Sequence, residues 1–201
     1  MDKVSYALGM SIAHNMMHSG VKDIDIEDFA AAVKATLKGE TPAVPFEEAG
    51  KILDAYFTDL EAARAAEEAE IGEAMKKDGA DFLAENAKKP GVITLASGLQ
   101  YRILKAGNGR KPGKTSQVRC HYEGTFTNGM VFDSSYKRGE PAVFGVNQVI
   151  AGWTEALQMM SEGSEWELCI PYDLAYGEAG AHGAIPPYAT LIFKVELIEV
   201  L

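Results

Sequence analysis

Cysteine is scarce in this chain. Cys120 and Cys169 are the only two among 201 residues, far apart in sequence and each inside a strand-like apolar run. That pattern excludes a disulfide framework and reads as two buried free thiols, which leans towards a reducing compartment. No stretch approaches the ~20 apolar residues of a membrane span. Met1-Asp2-Lys3-Val4 carries no basic segment followed by an apolar run, so no secretory signal is read there. The expected location is therefore cytoplasmic, with a periplasmic or outer-membrane-associated one as the alternative if a signal has been trimmed. Positive charge is also in deficit. The net charge is −10, with 18 acidic and 10 basic residues in 1–89 and 11 and 9 in 90–201. Such a balance argues against nucleic acid as a partner. One run, Arg102, Lys105, Arg110, Lys111, Lys114 and Arg119, has no acid within it and reads as a solvated strand-and-loop surface, with a partner patch as the alternative.

Signatures of covalent and metal chemistry are missing too. There is no Gly-rich phosphate loop, no zinc-type spacing and no G-x-S-x-G elbow. His14 and His18 share a helical face but have no third ligand. Ser134 and Ser135 have no adjacent histidine, and His121 and His182 stand too far off in sequence to argue a triad. Neither cysteine has an evident activating base. No cofactor and no metal is expected.

What is present begins with helical periodicity. Val4, Leu8, Ile12 and Met16 recur on one face, and Gly20 ends that helix. Asp25 is a good N-cap for a second helix, with Asp28 in its first turn, Phe29, Val33 and Leu37 on its apolar face and Gly39 at its end. Proline at 42 and 45 breaks the chain before a long helix whose apolar face runs from Phe46 to Leu60. From Glu61 to Glu70 no large apolar residue remains, so that segment reads as an exposed stalk, with Gly72 and Gly79 as places for it to bend. Two short helices and half a long one make a poor core alone. The expectation is a homodimer formed through residues 1–60.

Pro90-Gly91 marks a boundary. Beyond it, 99–104, 117–123, 142–146, 165–170 and 190–201 read as strands, and one short helix is signalled between Thr154 and Met160. The fold class is α+β: an N-terminal all-helical dimerisation domain with a long stalk helix, then an antiparallel sheet around a short helix. The expected divisions are 1–60 (helical dimerisation), 61–89 (stalk) and 90–201 (sheet domain).

Aromatic and branched apolar residues beside glycine or proline recur through the last hundred residues. Taken singly, Phe132, Trp153 and Phe193 read as core, Tyr176 as a turn anchor and Asp133 as a turn cap with Ser134 and Ser135. As an ordered set they say more. Val-Arg-Cys-His-Tyr-Glu-Gly (118–124), Val-Phe-Asp-Ser-Ser (131–135), Val-Ile-Ala-Gly-Trp (149–153), Leu-Ala-Tyr-Gly (174–177), Ile-Pro-Pro (185–187) and Leu-Ile-Phe (191–193) together resemble the FKBP-type peptidyl-prolyl cis-trans isomerases. The N-terminal half, through Asn-Ala-Lys-Lys-Pro-Gly-Val (86–92), is similar to the dimeric bacterial members related to the macrophage infectivity potentiator.

This resemblance implies an isomerase that turns X-Pro bonds during protein folding, acting on proline-containing peptides and unfolded proteins. It further implies a V-shaped homodimer, an accompanying chaperone activity in the dimer cleft, and inhibition by macrolides. It assigns catalytic roles to Tyr122, Phe132, Asp133, Trp153, Tyr176 and Phe193, and substrate binding to Phe144, Val149, Ile150 and Ile185. Trp153 would be the pocket floor. The Ile150 N–H and the Tyr176 hydroxyl would bind substrate carbonyls, and Asp133 would orient the Tyr122 hydroxyl. Two positions depart from the family pattern. Ala142 stands where an aromatic is frequent, which opens that wall, and Ala151 replaces a proline before Gly-Trp, which loosens the turn presenting Ile150.

Overall fold

Capping chemistry sets the helices of the first unit. The computed structural model describes residues 1–181 and 183–201 and forms two compact units, Met1–Glu67 and Glu68–Leu201. Helix α1 spans Lys3–His18, and the Asp2 carboxylate accepts the Ser5 N–H at 2.8 Å across its first turn. Helix α2 spans Ile26–Lys38. Asp25 Oδ1 accepts from the Glu27 and Asp28 N–H groups at 2.8 and 3.0 Å, and Gly39 closes the helix at φ 67°. Helix α3 starts directly after Pro45 and runs Phe46–Asn86. The apolar faces read in the sequence are all present in this unit, but within one chain almost nothing covers them. Val21 is its sole buried residue, whereas Leu8 is 60% exposed, Phe46 73% and Ile52 54%.

The second unit is a seven-stranded antiparallel sheet: β1 (Val92–Thr94), β2 (Gln100–Lys105), β3 (Gln117–Phe126), β4 (Val131–Ser134), β5 (Ala142–Gly145), β6 (Glu165–Ile170) and β7 (Leu191–Val200). Its order is β1-β2-β6-β7-β3-β4, with β5 also paired to β3. Strand β3 thus has two partners on one side: β5 along Gln117–Cys120 and β4 along Glu123–Thr125. Residues alternate along it, so that Val118, Cys120, Tyr122, Gly124 and Phe126 share the buried face. Helix α5 (Ala151–Met159) lies on that face and buries Trp153, Ala156 and Leu157 against Leu168, Ile170, Leu191 and Val195. A one-turn helix, α4 (Ser135–Arg138), follows β4 directly.

The glycines of α3 sit at close contacts within one continuous helix. At Gly72 an added Cβ would lie 2.7 Å from the Tyr188 ring, and at Gly79 2.3 Å from Thr190 Oγ1. Both are buried because the end of α3 rests on the segment leading into β7. A polar latch completes this contact. The Asn86 amide donates to Gln100 Oε1 at 2.9 Å and to Cys169 Sγ at 3.3 Å, and Gln100 donates to the Leu83 carbonyl at 2.9 Å. From Gly72 onward, then, α3 is docked rather than exposed. Met75 packs against the core beside the two glycines, and Phe82 and Leu83 are half-buried.

Half of the acid-free basic run is paired with acids distant in sequence. Arg102 pairs with Glu167 at 3.0 Å, Arg110 with Glu162 at 3.3 Å, and Arg119 with Glu199. Among the described residues no helix is long and apolar enough to cross a membrane, and no group of three or more His, Cys, Asp or Glu side chains clusters as a metal site. His182 lies outside the described residues.

Candidate active site

Between β3, β4, β5, α5 and β7 lies a cavity of about 390 Å³ lined by Tyr122, Phe132, Asp133, Phe144, Gln148, Val149, Ile150, Trp153, Tyr176 and Phe193. Nine of the ten residues singled out in the sequence meet here. Their convergence follows from strand alternation: Tyr122 on β3 and Phe193 on β7 both point to the helix-covered face, and α5 delivers Trp153 from above it.

Trp153 is the hub. It is 3% exposed, and three rings meet it edge to face: Tyr122 (centroids 5.4 Å apart), Phe144 (5.5 Å) and Phe193 (5.3 Å). Phe132 extends the wall, standing edge-on to Phe193 at 5.5 Å. Such T-shaped contacts satisfy the ring quadrupoles and fix the rings in place. Gly124 makes room for them, since a Cβ there would sit 2.5 Å from Phe132 and 2.8 Å from Phe193.

The rim carries two polar groups without a protein partner among the described residues. Ile150 immediately precedes α5, and no group among the described residues accepts its N–H. The Tyr176 side chain is 43% exposed, and its hydroxyl makes no hydrogen bond among the described residues. Ala151 is the first, exposed residue of α5, and Ala142 pairs with Cys120 outside the cavity.

On one side of the cavity Asp133 is held by two donors. The Tyr122 hydroxyl donates to its Oδ2 at 2.5 Å, and Arg138 donates to its Oδ1. Arg138 also donates to the Tyr122 oxygen at 2.8 Å. Burial alone would push the Asp133 carboxyl up. The Tyr122 hydrogen bond and the Arg138 guanidinium outweigh it, holding the carboxyl below its ordinary range. Burial first, then the bond to Asp133, pushes the Tyr122 phenol up. The carboxylate stays ionised and the phenol protonated, an arrangement suited to orienting a group and unsuited to passing a proton.

Two residues of this surround were missed in the sequence, and a third, Ser135, was read only as part of a turn cap. Arg138 carries no motif, but Ser134 as N-cap and Gly139 at φ 80° define the single turn α4 that brings it back over Asp133. Gln148 enters the lining from the β5–α5 turn, where its N–H donates to the Gly145 carbonyl at 2.9 Å. Ser135, though distant from His121 in sequence, lies 2.9 Å from its Nδ1. It is fully buried and bonded to backbone, so it is no nucleophile.

Ile185 is the predicted residue that the cavity omits. Its backbone folds onto Ala181, with both bridge hydrogen bonds at 2.9 Å, and it lines a second groove with Ile71, Ala184 and Pro186. The cysteines are in place as buried thiols, each pushed up to about 12 by burial.

Comparison with known proteins agrees with this geometry. Residues 108–198 match the family model described as FKBP-type peptidyl-prolyl cis-trans isomerase, and residues 1–103 match the domain amino-terminal to it. An FKBP-type 22 kDa peptidyl-prolyl cis-trans isomerase of Escherichia coli is 44% identical over 99% of this chain and 95% of its own. The outer membrane protein MIP of Legionella longbeachae is 45% identical over 99% of this chain and 85% of its own. Among solved structures, FkpA from Escherichia coli covers 98% of this chain and 95% of its own at a TM-score of 0.78 and 34% identity.

The cytoplasmic placement does not stand. A relative similar along nearly the whole chain is named an outer membrane protein. The thiols on which that placement leaned report nothing about compartment. Buried with pKa values near 12, they form no thiolate that would sense redox conditions.

Proposed function

The chain belongs to the FKBP-type peptidyl-prolyl cis-trans isomerases, and we propose that it turns X-Pro bonds by gripping the proline ring on Trp153 while the flanking carbonyls bind the Ile150 N–H and the Tyr176 hydroxyl. The observation that carries this assignment is the aromatic cage itself. Three rings fix a buried indole beneath a cavity of about 390 Å³, and two donors without a protein partner among the described residues stand at its rim.

Turning an X-Pro bond breaks amide resonance, with a barrier of ~18–20 kcal/mol and uncatalysed times of ~10–100 s. No covalent bond forms or breaks, so no nucleophile is needed. The twisted amide is less dipolar than the planar one, and an apolar pocket disfavours it less than water does. Held flanking carbonyls keep the chain in the bent pose that rotation requires. A thousandfold acceleration asks for only ~4 kcal/mol of preferential binding to the twisted state. Asp133, already engaged by Tyr122 and Arg138, acts as an orienting anion: it fixes the Tyr122 wall and biases the field near the bound carbonyl.

The helical unit serves a second copy of the chain. Leu8, Ile12, Phe46, Ile52 and Leu53 are large apolar side chains left exposed in one chain, and a second copy would cover them. Pairing through residues 1–60 buries them, and the dimer holds unfolded proteins for isomerisation. Macrolides that mimic the proline ring occupy the same cage.

The test is a protease-free proline isomerisation assay on a short peptide. Tyr176→Phe weakens substrate holding modestly, whereas Asp133→Ala and Trp153→Ala lower turnover more. Equal activity of all three variants contradicts the assignment.

A further inference from the structure

The β3–β4 ladder stops one residue short of where it is needed. Its register pairs Gly124 with Asp133 and Glu123 with Ser134, so the next pair would be Tyr122 with Ser135. At Ser135, however, the backbone turns into α4. The Ser135 side chain replaces the missing strand: its Oγ accepts the Tyr122 N–H at 2.8 Å and donates to the Tyr122 carbonyl at 3.1 Å. That hydroxyl is 0% exposed and has one proton, spent on the carbonyl. Its contact with His121 Nδ1 at 2.9 Å is therefore one in which the imidazole donates. This fixes the Nδ1–H tautomer and uses the last acceptor site on the serine. His121 is in turn stacked on Tyr136, with ring centroids 4.6 Å apart and planes 15° apart, and Tyr136 donates to Glu196 at 3.3 Å.

We propose that Ser135 and His121 are positioning residues for the isomerase reaction: the serine hydroxyl, saturated by three hydrogen bonds, clamps the backbone of Tyr122 so that its hydroxyl keeps its place against Asp133. Neither residue touches substrate; both act through Tyr122. The inference rests on the isomerase reading and adds a mechanical support that the pocket lining does not contain.

The experiment is a double-mutant cycle on the full chain, measuring kcat/KM for a short proline peptide without protease. Ser135→Ala lowers kcat/KM about fivefold or more in the native background, the loss expected when a buried hydrogen-bonded clamp goes. In a Tyr122→Phe background, where the hydroxyl to be positioned is gone, the same change costs less than about twofold. Should Ser135→Ala fail to fold, the half-buried His121 gives the second arm: His121→Leu removes the donor and lowers kcat/KM, and His121→Asn, whose amide nitrogen replaces Nδ1, restores it. Equal losses from Ser135→Ala in both backgrounds, no loss in either, or equal rates of His121→Asn and His121→Leu overturn the proposal. A native protein that does not accelerate the peptide overturns the isomerase reading beneath it, an outcome separate from additive losses in an active protein.

Discussion

Arg138 reaches Asp133 and the Tyr122 hydroxyl with two different nitrogens, so one cation bridges the carboxylate and the phenol that already share a 2.5 Å hydrogen bond. This triangle has a pH consequence. The folded-state pKa of Asp133 lies below its ordinary value of 3.8, so the stability it contributes is full above that pH and fades as pH falls through the lowered value. Thermal melts from pH 7 to pH 2 will show Asp133→Asn losing less stability than the native protein below about pH 4. Between pH 5 and pH 8 isomerase activity carries no step from Asp133, since the carboxylate does not titrate there. A step that disappears in Asp133→Asn would restore a proton-transfer role.

Gly124 is a spacing residue, and its replacement tests the cage without touching a polar group. Gly124→Ala forces a methyl to within 3 Å of Phe132 and Phe193. The expected cost is ~1–3 kcal/mol of stability, as for overpacked cores, with a fall in kcat/KM from displaced walls. Denaturant titration and the peptide assay check both parts.

At Gly79 the sign of a helix-propensity effect is reversed. In an exposed helix Gly→Ala stabilises by ~1 kcal/mol. Here the added methyl meets Thr190 Oγ1 at 2.3 Å, so Gly79→Ala destabilises the sheet unit. A gain in melting temperature would mean that the end of α3 is not docked in solution. Asn86→Ala strands the buried Gln100 and Cys169 and costs ~1–3 kcal/mol.

Charge placed on the uncovered helical face separates assembly from catalysis. Leu8→Asp with Ile12→Asp gives a monomer by sedimentation while the short-peptide kcat/KM is kept, because neither residue lies in the pocket unit. Loss of refolding assistance on a large client in that variant assigns client capture to the dimer; an unchanged dimer mass contradicts the interface.

Elements stated by local chemistry were legible in the sequence. Asp25 and Gly39 bound α2 through caps that neighbouring residues define, and the alternation of 117–126 aims Tyr122 inward. What escaped depends on distant partners. Gly72 and Gly79 look like flexible points until Tyr188 and Thr190 are placed over them. Arg138 joins the site only because a single helical turn reverses the chain, and Ser135 meets His121 only through strand pairing. Ile185 fits the motif order, and the fold places it at the edge of the core beside a neighbouring groove. Compartment was not legible because buried thiols carry no trace of it.

In the proposed mechanism Trp153 is the surface on which the proline ring is held, and Trp153→Ala in the peptide isomerisation assay tests it most directly. Removing a 3%-exposed indole costs ~3–5 kcal/mol of stability, so the assay is run where circular dichroism shows the variant folded. The predicted result is a fall in kcat/KM of at least about tenfold, equivalent to ~1.4 kcal/mol of lost transition-state binding. A folded Trp153→Ala protein that isomerises the peptide at the native rate would contradict it.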